Sequence, residues 1–153
     1  PESTSDRRAD RVADVVLVGC VKRKLDRAAP AQDLYTSALF RKERTYAEGS
    51  GARWFILSAQ HGLVEPTRVL EPYELRLSSL TRAQRVAWGR AVVDDLAAAC
   101  GLLAGKVIEV HAGAAYVDSI REPLLGLGAE VSEPLRGLMM GERLAWYGCR
   151  SPG

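Results

Sequence analysis

The sequence has 153 residues, of which 47% are hydrophobic and 26% are charged, as is ordinary for one globular domain. Its 21 basic and 19 acidic residues leave a net charge of +2, which is too small for a protein that coats DNA or a membrane by overall charge. No apolar run reaches the roughly 18 residues of a membrane span, and no segment resembles a signal peptide. Three scattered cysteines form neither a disulfide framework nor a zinc site. We therefore expect a cytoplasmic protein without metal or cofactor.

The start of the chain differs in character from the rest. Residues 1–12 are polar and charged and have no periodic apolar face. We expect a flexible leader there, followed by a single domain over residues 13–153.

Four apolar runs predict the strands of this domain. They lie at residues 14–19, 53–58, 106–111 and 129–132. Continuous apolar runs are typical of strands that are buried on both faces. Because these runs alternate with helical segments, the sequence predicts an α/β fold in which a mainly parallel sheet of about four strands lies between helices.

Capping residues mark two longer helices. Thr36 or Ser37 starts the first, and Gly49 ends it. Thr81 and Gln84 fit a capping box that starts a second helix of about twenty residues. The remaining expectations are loops at 26–32 and 64–72, a short helix at 116–121 that stops before Pro123, and a last helical turn or two at 142–147.

Three cations, Lys22, Arg23 and Lys24, follow the first predicted strand. In an open α/β sheet, ligands bind just beyond the carboxyl ends of the strands, a region called the carboxyl edge below. We therefore expect an anionic ligand, above all a phosphate, at this edge. The alternative is a solvated basic turn that binds nothing.

Polar and aromatic residues follow the other strands and meet at the same edge if the strands are parallel. Cations suit a phosphate, amide or aromatic groups suit a base, and a carboxylate suits a sugar, so this set indicates nucleotide chemistry. The residues expected to bind substrate are Cys20, Lys22, Lys24, Tyr35, Ser37, Ser58, Gln60, Tyr73, His111, Gly113, Tyr116 and Arg136. Three residues have plainer alternatives: Cys20 as an inert buried thiol, His111 as a buried and hydrogen-bonded side chain, and His61 as a loop residue.

Common nucleotide and hydrolase motifs are missing from the sequence. It has no Walker loop, no Gly-x-Gly-x-x-Gly after the first strand and no Gly-x-Ser-x-Gly elbow. Ordinary nucleoside triphosphatases, dinucleotide-binding enzymes and serine hydrolases are therefore excluded.

Four segments carry a resemblance to a known family: residues 19–24, 33–40, 57–63 and 134–141. In this order they resemble a bacterial and phage domain family of unknown function. The Cys-x-Lys-x-Lys block is also similar, more distantly, to an accessory domain of archaeosine tRNA-guanine transglycosylases, which is similar in fold to uracil-DNA glycosylases. The resemblance implies a three-layer Rossmann-like sandwich that handles a nucleobase or nucleotide. The sequence lacks the Gly-Gln-Asp-Pro-Tyr block of the glycosylases, so no residue here matches their water-activating Asp.

Two hypotheses follow. The first is an enzyme that hydrolyses the N-glycosidic bond of a nucleotide, nucleoside or modified base. Glu71 or Glu74 would stabilise positive charge on the sugar, and His61 would be the acid or orienting group. Lys22 and Lys24 would hold a 5′-phosphate. The second hypothesis is a non-catalytic binding or accessory domain that uses the same cations. Both predict a nucleotide or nucleoside partner and no membrane, and both leave a nucleic-acid partner and a homodimer open.

Overall fold

A five-stranded sheet lies at the centre of the fold in the computed structural model, which describes residues 12–19 and 24–148. The strands are β1 (Val15–Val18), β2 (Ala29–Pro30), β3 (Arg53–Ser58), β4 (Gly62–Val64), β5 (Val69–Leu70), β6 (Val107–His111) and β7 (Glu130–Ser132). The main sheet has the order β4-β3-β1-β6-β7, and within it only β4 runs antiparallel to its neighbour. β2 and β5 pair separately as an antiparallel ribbon.

Helices cover both faces of the sheet. They are α1 (Ala31–Leu34), α2 (Ala38–Gly49), α3 (Arg82–Cys100), α4 (Ala114–Gly126) and α5 (Met140–Gly148), with a 3₁₀ turn at Leu77–Ser79. On one face, Val18 of β1 shares a hydrophobic core with Phe40 of α2, and α5 packs beside α2. On the other face, Leu17 shares a core with Val92 of α3 and Ile120 of α4. The result is a three-layer α/β arrangement. None of the helices in the described residues combines the length and hydrophobicity that a membrane span requires.

The four strands predicted from apolar runs are confirmed as β1, β3, β6 and β7. The helix starts are confirmed as well. The Ser37 hydroxyl accepts the backbone N–H of Phe40 at 3.1 Å. The side chains of Thr81 and Gln84 accept each other's backbone N–H at 3.1 and 2.9 Å, which is the predicted capping box.

The predicted loops and the last helix need correction. Residues 26–32 and 64–72 were expected to be irregular, but they contribute β2 and β5 to the ribbon. β4 was not predicted; it turns back along β3 after Gly62, whose φ of 73° suits glycine. The last helix extends over Met140–Gly148 rather than 142–147. β2 and β5 have two residues each and form by pairing with each other, and β4 is a three-residue return along β3, so none of them shows a periodic pattern of its own.

The short helix expected to stop before Pro123 continues to Gly126 as α4. Pro123 has no backbone N–H, so the carbonyl of Ser119, four residues earlier, loses its intrahelical donor. That carbonyl faces Gly89 of α3: a Cβ built on Gly89 would lie 2.7 Å from the Ser119 carbonyl carbon and would overlap the oxygen. The proline is therefore accommodated where α3 and α4 pack closest.

The carboxyl ends of the three central strands converge. The N–H of Gly19, directly after β1, donates to the His111 carbonyl at 2.9 Å. A Cβ at Gly19 would lie 3.3 Å from the Cβ of Ala112 and 3.4 Å from that of Leu57. The segments after β1, β3 and β6 thus meet at one edge, as parallel strands require. Of the expected leader, only Val12 is described, and it is exposed.

Candidate functional site

Three buried hydroxyl groups meet at the carboxyl edge, and we call Tyr35, Ser58 and Tyr73 the tyrosine anchor. Ser58 ends β3, Tyr35 follows α1, and Tyr73 comes from the loop after β5. The Ser58 hydroxyl donates to the Tyr73 oxygen at 2.9 Å, and the two tyrosine oxygens are 2.5 Å apart. Burial above all, with the nearby Tyr73, raises the pKa of Tyr35 far above its ordinary value of 10.0. The Tyr35 hydroxyl therefore stays protonated, and the anchor ties two loops to the end of a central strand.

Lys24 lies against the tyrosine anchor. Its ammonium nitrogen is 4.5 Å from the ring centre of Tyr73 and 5.7 Å from that of Tyr35. Its backbone forms an antiparallel bridge with Tyr35, and the N–H of Leu25 donates to the Leu34 carbonyl at 2.8 Å. Aromatic ring faces attract a cation, so these contacts hold one positive charge at the carboxyl edge.

His61 also packs against Tyr73. Its ring packs edge-on at 5.6 Å from the ring centre of Tyr73, and its backbone N–H donates to the Ser58 hydroxyl at 3.0 Å. Burial, followed by the positive charge of Arg68, lowers the pKa of His61 from 6.5. The imidazole is therefore neutral at pH 7 and has a lone pair that can accept a proton or a hydrogen bond.

α3 and α4 are joined to the same edge. The indole N–H of Trp88 donates to the Ser58 carbonyl at 2.9 Å, and the ring of Tyr116 packs edge-on against Trp88 with 5.5 Å between centres. The sequence did not predict this link. The available signal was that an indole N–H needs a hydrogen-bond acceptor when it leaves solvent.

The carboxylates proposed for catalysis flank the anchor along the chain. Glu71 precedes Tyr73 by two residues and Glu74 follows it, and both side chains are exposed. Because consecutive Cα atoms are about 3.8 Å apart, the Cα atom of each glutamate lies within about 8 Å of the Cα atom of Tyr73, which is buried and hydrogen-bonded. The anchor thus fixes the backbone of the loop from which both carboxylates reach solvent.

His111 was expected to bind substrate, and the structure instead buries it completely. One ring nitrogen lies 2.7 Å from the Glu109 carboxylate and the other 2.6 Å from the Tyr147 hydroxyl. Tyr46 donates to the same Glu109 oxygen at 2.6 Å. The alternative of a buried, hydrogen-bonded histidine describes this arrangement, and His111 has no exposed surface with which to contact a ligand. Burial raises the pKa of Glu109, but hydrogen bonds from His111 and Tyr46 outweigh burial and hold it below 4.5.

The other residues expected to bind substrate are spread around the edge. Gln60 is exposed in the turn after β3, and Gly113 is exposed at the start of α4. Ser37 caps α2. Arg136 is exposed, 3.5 Å from Glu133, beside a cavity of about 160 Å³ near the end of β6. Cys20 and Lys22 lie outside the described residues.

The comparisons with known proteins identify the family. A model of the family of unknown function DUF6884 matches residues 15–149. The chain belongs to this family. The matched range of the DUF6884 domain includes the whole tyrosine anchor together with Lys24, His61, Glu71 and Glu74. A comparison with curated proteins gives no match. Among residues 12–19 and 24–148, no three His, Cys, Asp or Glu side chains are grouped as metal ligands would be.

Proposed function

We propose that this DUF6884 domain hydrolyses the N-glycosidic bond of a nucleotide, nucleoside or modified base bound at the carboxyl edge. One observation carries the proposal. The tyrosine anchor holds the loop that bears Glu71 and Glu74 against the strand end at which Lys24 and His61 lie. A cation and a neutral imidazole thus pack against one buried tyrosine, and two exposed carboxylates flank that tyrosine in the chain.

This set suits the chemistry of glycosidic cleavage. As the bond between C1′ and the base nitrogen breaks, positive charge develops on the sugar, and Glu71 or Glu74 stabilises it. Water attacks C1′, and the proton it loses passes to His61 or to the carboxylate while the departing base takes up a proton from solvent. Because the pKa of His61 is lowered, its role at pH 7 is to orient or deprotonate water rather than to act as an acid.

Lys24 and the start of α2 would bind the phosphate. α2 begins at Ala38, three residues after Tyr35, and its first N–H groups and helix dipole favour an anion. Lys24 lies 5.7 Å from the ring centre of Tyr35 and adds a full positive charge. Lys22 would add a second.

The order of the parallel strands supports a Rossmann-like interpretation of the fold. From β1 the chain moves outward to β3 and then returns past β1 to β6 and β7. In doubly wound sheets, ligands bind where the strand order reverses in this way. The reversal here lies beside Gly19, close to the segment with Lys24. This placement also fits the distant relationship that we propose to transglycosylase accessory domains and to the uracil-DNA glycosylase fold. We propose in addition that the protein acts on nucleotides in the cytoplasm.

The test is to incubate the purified protein with a panel of nucleotides, nucleosides and modified bases and to look for free base by chromatography. Glu71→Gln, Glu74→Gln and His61→Asn should reduce the release of base, with one of the two Glu variants affected far more than the other. Glu48→Gln, in a surface ion pair with Arg44 on α2, is the matched control. Folded wild-type protein that releases no base from any substrate would contradict the proposal.

One observation favours the second candidate, a binding domain without catalysis. Glu71 and Glu74 are both exposed, whereas a catalytic carboxylate is often held by burial or a partner. A binding domain would keep the affinity of Lys24 for phosphate and release no base. Its affinity for a nucleotide would fall with salt, and Lys24→Met would weaken it.

A further inference from the structure

A groove of about 840 Å³ lies between α3 and α4, on the face of the sheet opposite α2. Arg82, Arg85 and Arg90 line its α3 side, and Asp118 and Glu122 line its α4 side. The reaction proposed above uses none of these residues. The groove is therefore a separate feature that needs its own explanation.

The charge balance in the groove is positive. Arg82 and Arg90 are exposed, and within the described part of the chain no carboxylate lies within 4.0 Å of either guanidinium. Arg85 donates to the Leu80 carbonyl, which leaves its charge uncompensated. Asp118 is paired with Arg121 at 3.0 Å, and Arg121 also pairs with Glu133, which lies 3.5 Å from Arg136. With these neighbours counted, five arginines face three carboxylates, so the groove and its border carry a net positive charge.

The groove begins at the carboxyl edge. α4 starts directly after β6, and its second residue, Ala115, lines the groove. The next residue, Tyr116, packs against Trp88, which donates to the Ser58 carbonyl. The Tyr116–Trp88 pair therefore connects the start of the groove to the tyrosine anchor.

The dimensions suit a short length of one nucleic-acid strand. Arg82 and Arg90 are eight residues apart on α3, which is about 12 Å along the helix at 1.5 Å per residue. At about 3.4 Å per phosphate along one strand, that distance covers three or four phosphates. The volume is that of a site for a small ligand and is far too small for a duplex.

From the charge, position and length of the groove we infer that it binds the sugar-phosphate backbone of a single-stranded nucleic acid whose next nucleotide enters the carboxyl edge. The substrate of the edge is then a nucleotide within a polymer rather than a free mononucleotide. An enzyme that acts on a base must reach it outside a duplex, and a single strand meets that need. The inference rests on the proposed function only for the reaction at the edge, because binding in the groove needs no bond cleavage.

The test is fluorescence anisotropy with short labelled DNA and RNA oligonucleotides over a range of salt concentrations. Each phosphate neutralised on a single strand contributes about −0.7 to the slope of log affinity against log salt. The double variant Arg82→Gln/Arg90→Gln should therefore flatten the slope by about 1.4 and weaken binding at low salt by about tenfold or more. Lys42→Gln, on the exposed side of α2 across the sheet, is the matched control and should leave both unchanged.

Three outcomes would overturn the inference: no binding of either oligonucleotide, an unchanged slope in the folded double variant, or equally tight binding of a polyglutamate peptide in the groove. Preference for the DNA or the RNA oligonucleotide would identify the sugar. The two proposals fail separately. Salt-dependent binding that needs Arg82 and Arg90, without release of base, would support the groove and contradict the glycosidase. The opposite result would be release of base from mononucleotides that the double variant does not change, with no binding of oligonucleotides. That result would support the glycosidase and contradict the groove.

Discussion

The hydroxyl oxygens of Tyr35 and Tyr73 lie 2.5 Å apart, although 38 residues separate them in the sequence. Each tyrosine belongs to a loop rather than to a strand or helix of the main layers. Their contact, together with the bond from Ser58, fixes both loops over the end of β3. The geometry of the candidate site therefore depends on a few buried hydroxyl groups.

Replacing Tyr73 by Phe should lower the free energy of unfolding by about 1–3 kcal/mol, because the buried hydroxyls of Tyr35 and Ser58 each lose a partner. The ring, and with it the packing against Lys24, is retained. Urea unfolding measures the effect. Val69→Ala, an exposed change in the same connection, should cost much less. Equal stability of Tyr73→Phe and wild type would show that the hydroxyl bonds do not hold the loops.

Gly89→Ala should destabilise the domain by about 1–3 kcal/mol or more, because the new methyl group would overlap the Ser119 carbonyl and push α3 and α4 apart. Gly126→Ala is the matched control on α4: nothing lies within 4 Å of the Cβ that it adds. Alanine is a better helix former than glycine by up to about 1 kcal/mol, so this control should be neutral or stabilising. Thermal unfolding of the two variants distinguishes them. A Gly89→Ala protein as stable as wild type would mean that the helices do not pack as closely as described.

The carboxyl group of Glu109 makes the stability of the domain depend on pH in the acid range. Its pKa is below 4.5 in the folded state, so the unfolded chain takes up a proton more readily as the pH falls. The stabilisation is complete above about pH 4.5 and is lost as the pH falls through the folded pKa. Glu109→Gln should cost about 1.5–3 kcal/mol at pH 7 and should lose stability less steeply below pH 4.5.

Urea unfolding at a series of pH values tests this expectation, with Glu48→Gln as the exposed control. If Glu109→Gln and wild type lose stability in parallel below pH 4.5, the carboxyl is not held by His111 and Tyr46 as described.

Arg68→Gln should raise the pKa of His61 toward 6.5, because the charge of Arg68 disfavours the imidazolium. Burial, the larger cause, remains, so the shift should be partial. NMR titration of the ring protons follows it directly. The sequence contains only two histidines, so the ring signals of His61 can be assigned by their loss in a His61→Asn variant. If the glycosidase proposal holds, the fall in activity at low pH should move upward in the variant. A His61 titration identical in both proteins would exclude an influence of Arg68.

The layers of the fold could be predicted from sequence because their signals are local. A run such as 15–18 favours a buried strand wherever it lies, and the Thr81–Gln84 pair starts a helix through contacts three residues apart. β2 and β5 could not be predicted, because each has two residues and is recognisable only by its pairing with the other. The continuation of α4 through Pro123 likewise depends on packing against α3.

The candidate site was predictable only in its position. Parallel strands bring their carboxyl ends together, so the order of strands and loops in the sequence is enough to assign Lys24 and His61 to one edge. Which hydroxyls bond to one another was not predictable, since Ser58 and Tyr73 meet through a loop whose course depends on the ribbon. His111 shows the same limit: its position at a strand end was right, but its side chain faces α5 and the buried Tyr147 rather than solvent.

Both outer strands of the main sheet, β4 and β7, have only three residues. An edge of that length offers an incoming strand about one or two backbone hydrogen-bond pairs, too few to hold it. The described sheet is therefore protected against pairing with further strands, including those of its own copies and of aggregating chains. A macromolecule that binds the described part of the chain is therefore expected to contact helices and loops rather than to add a strand to the main sheet.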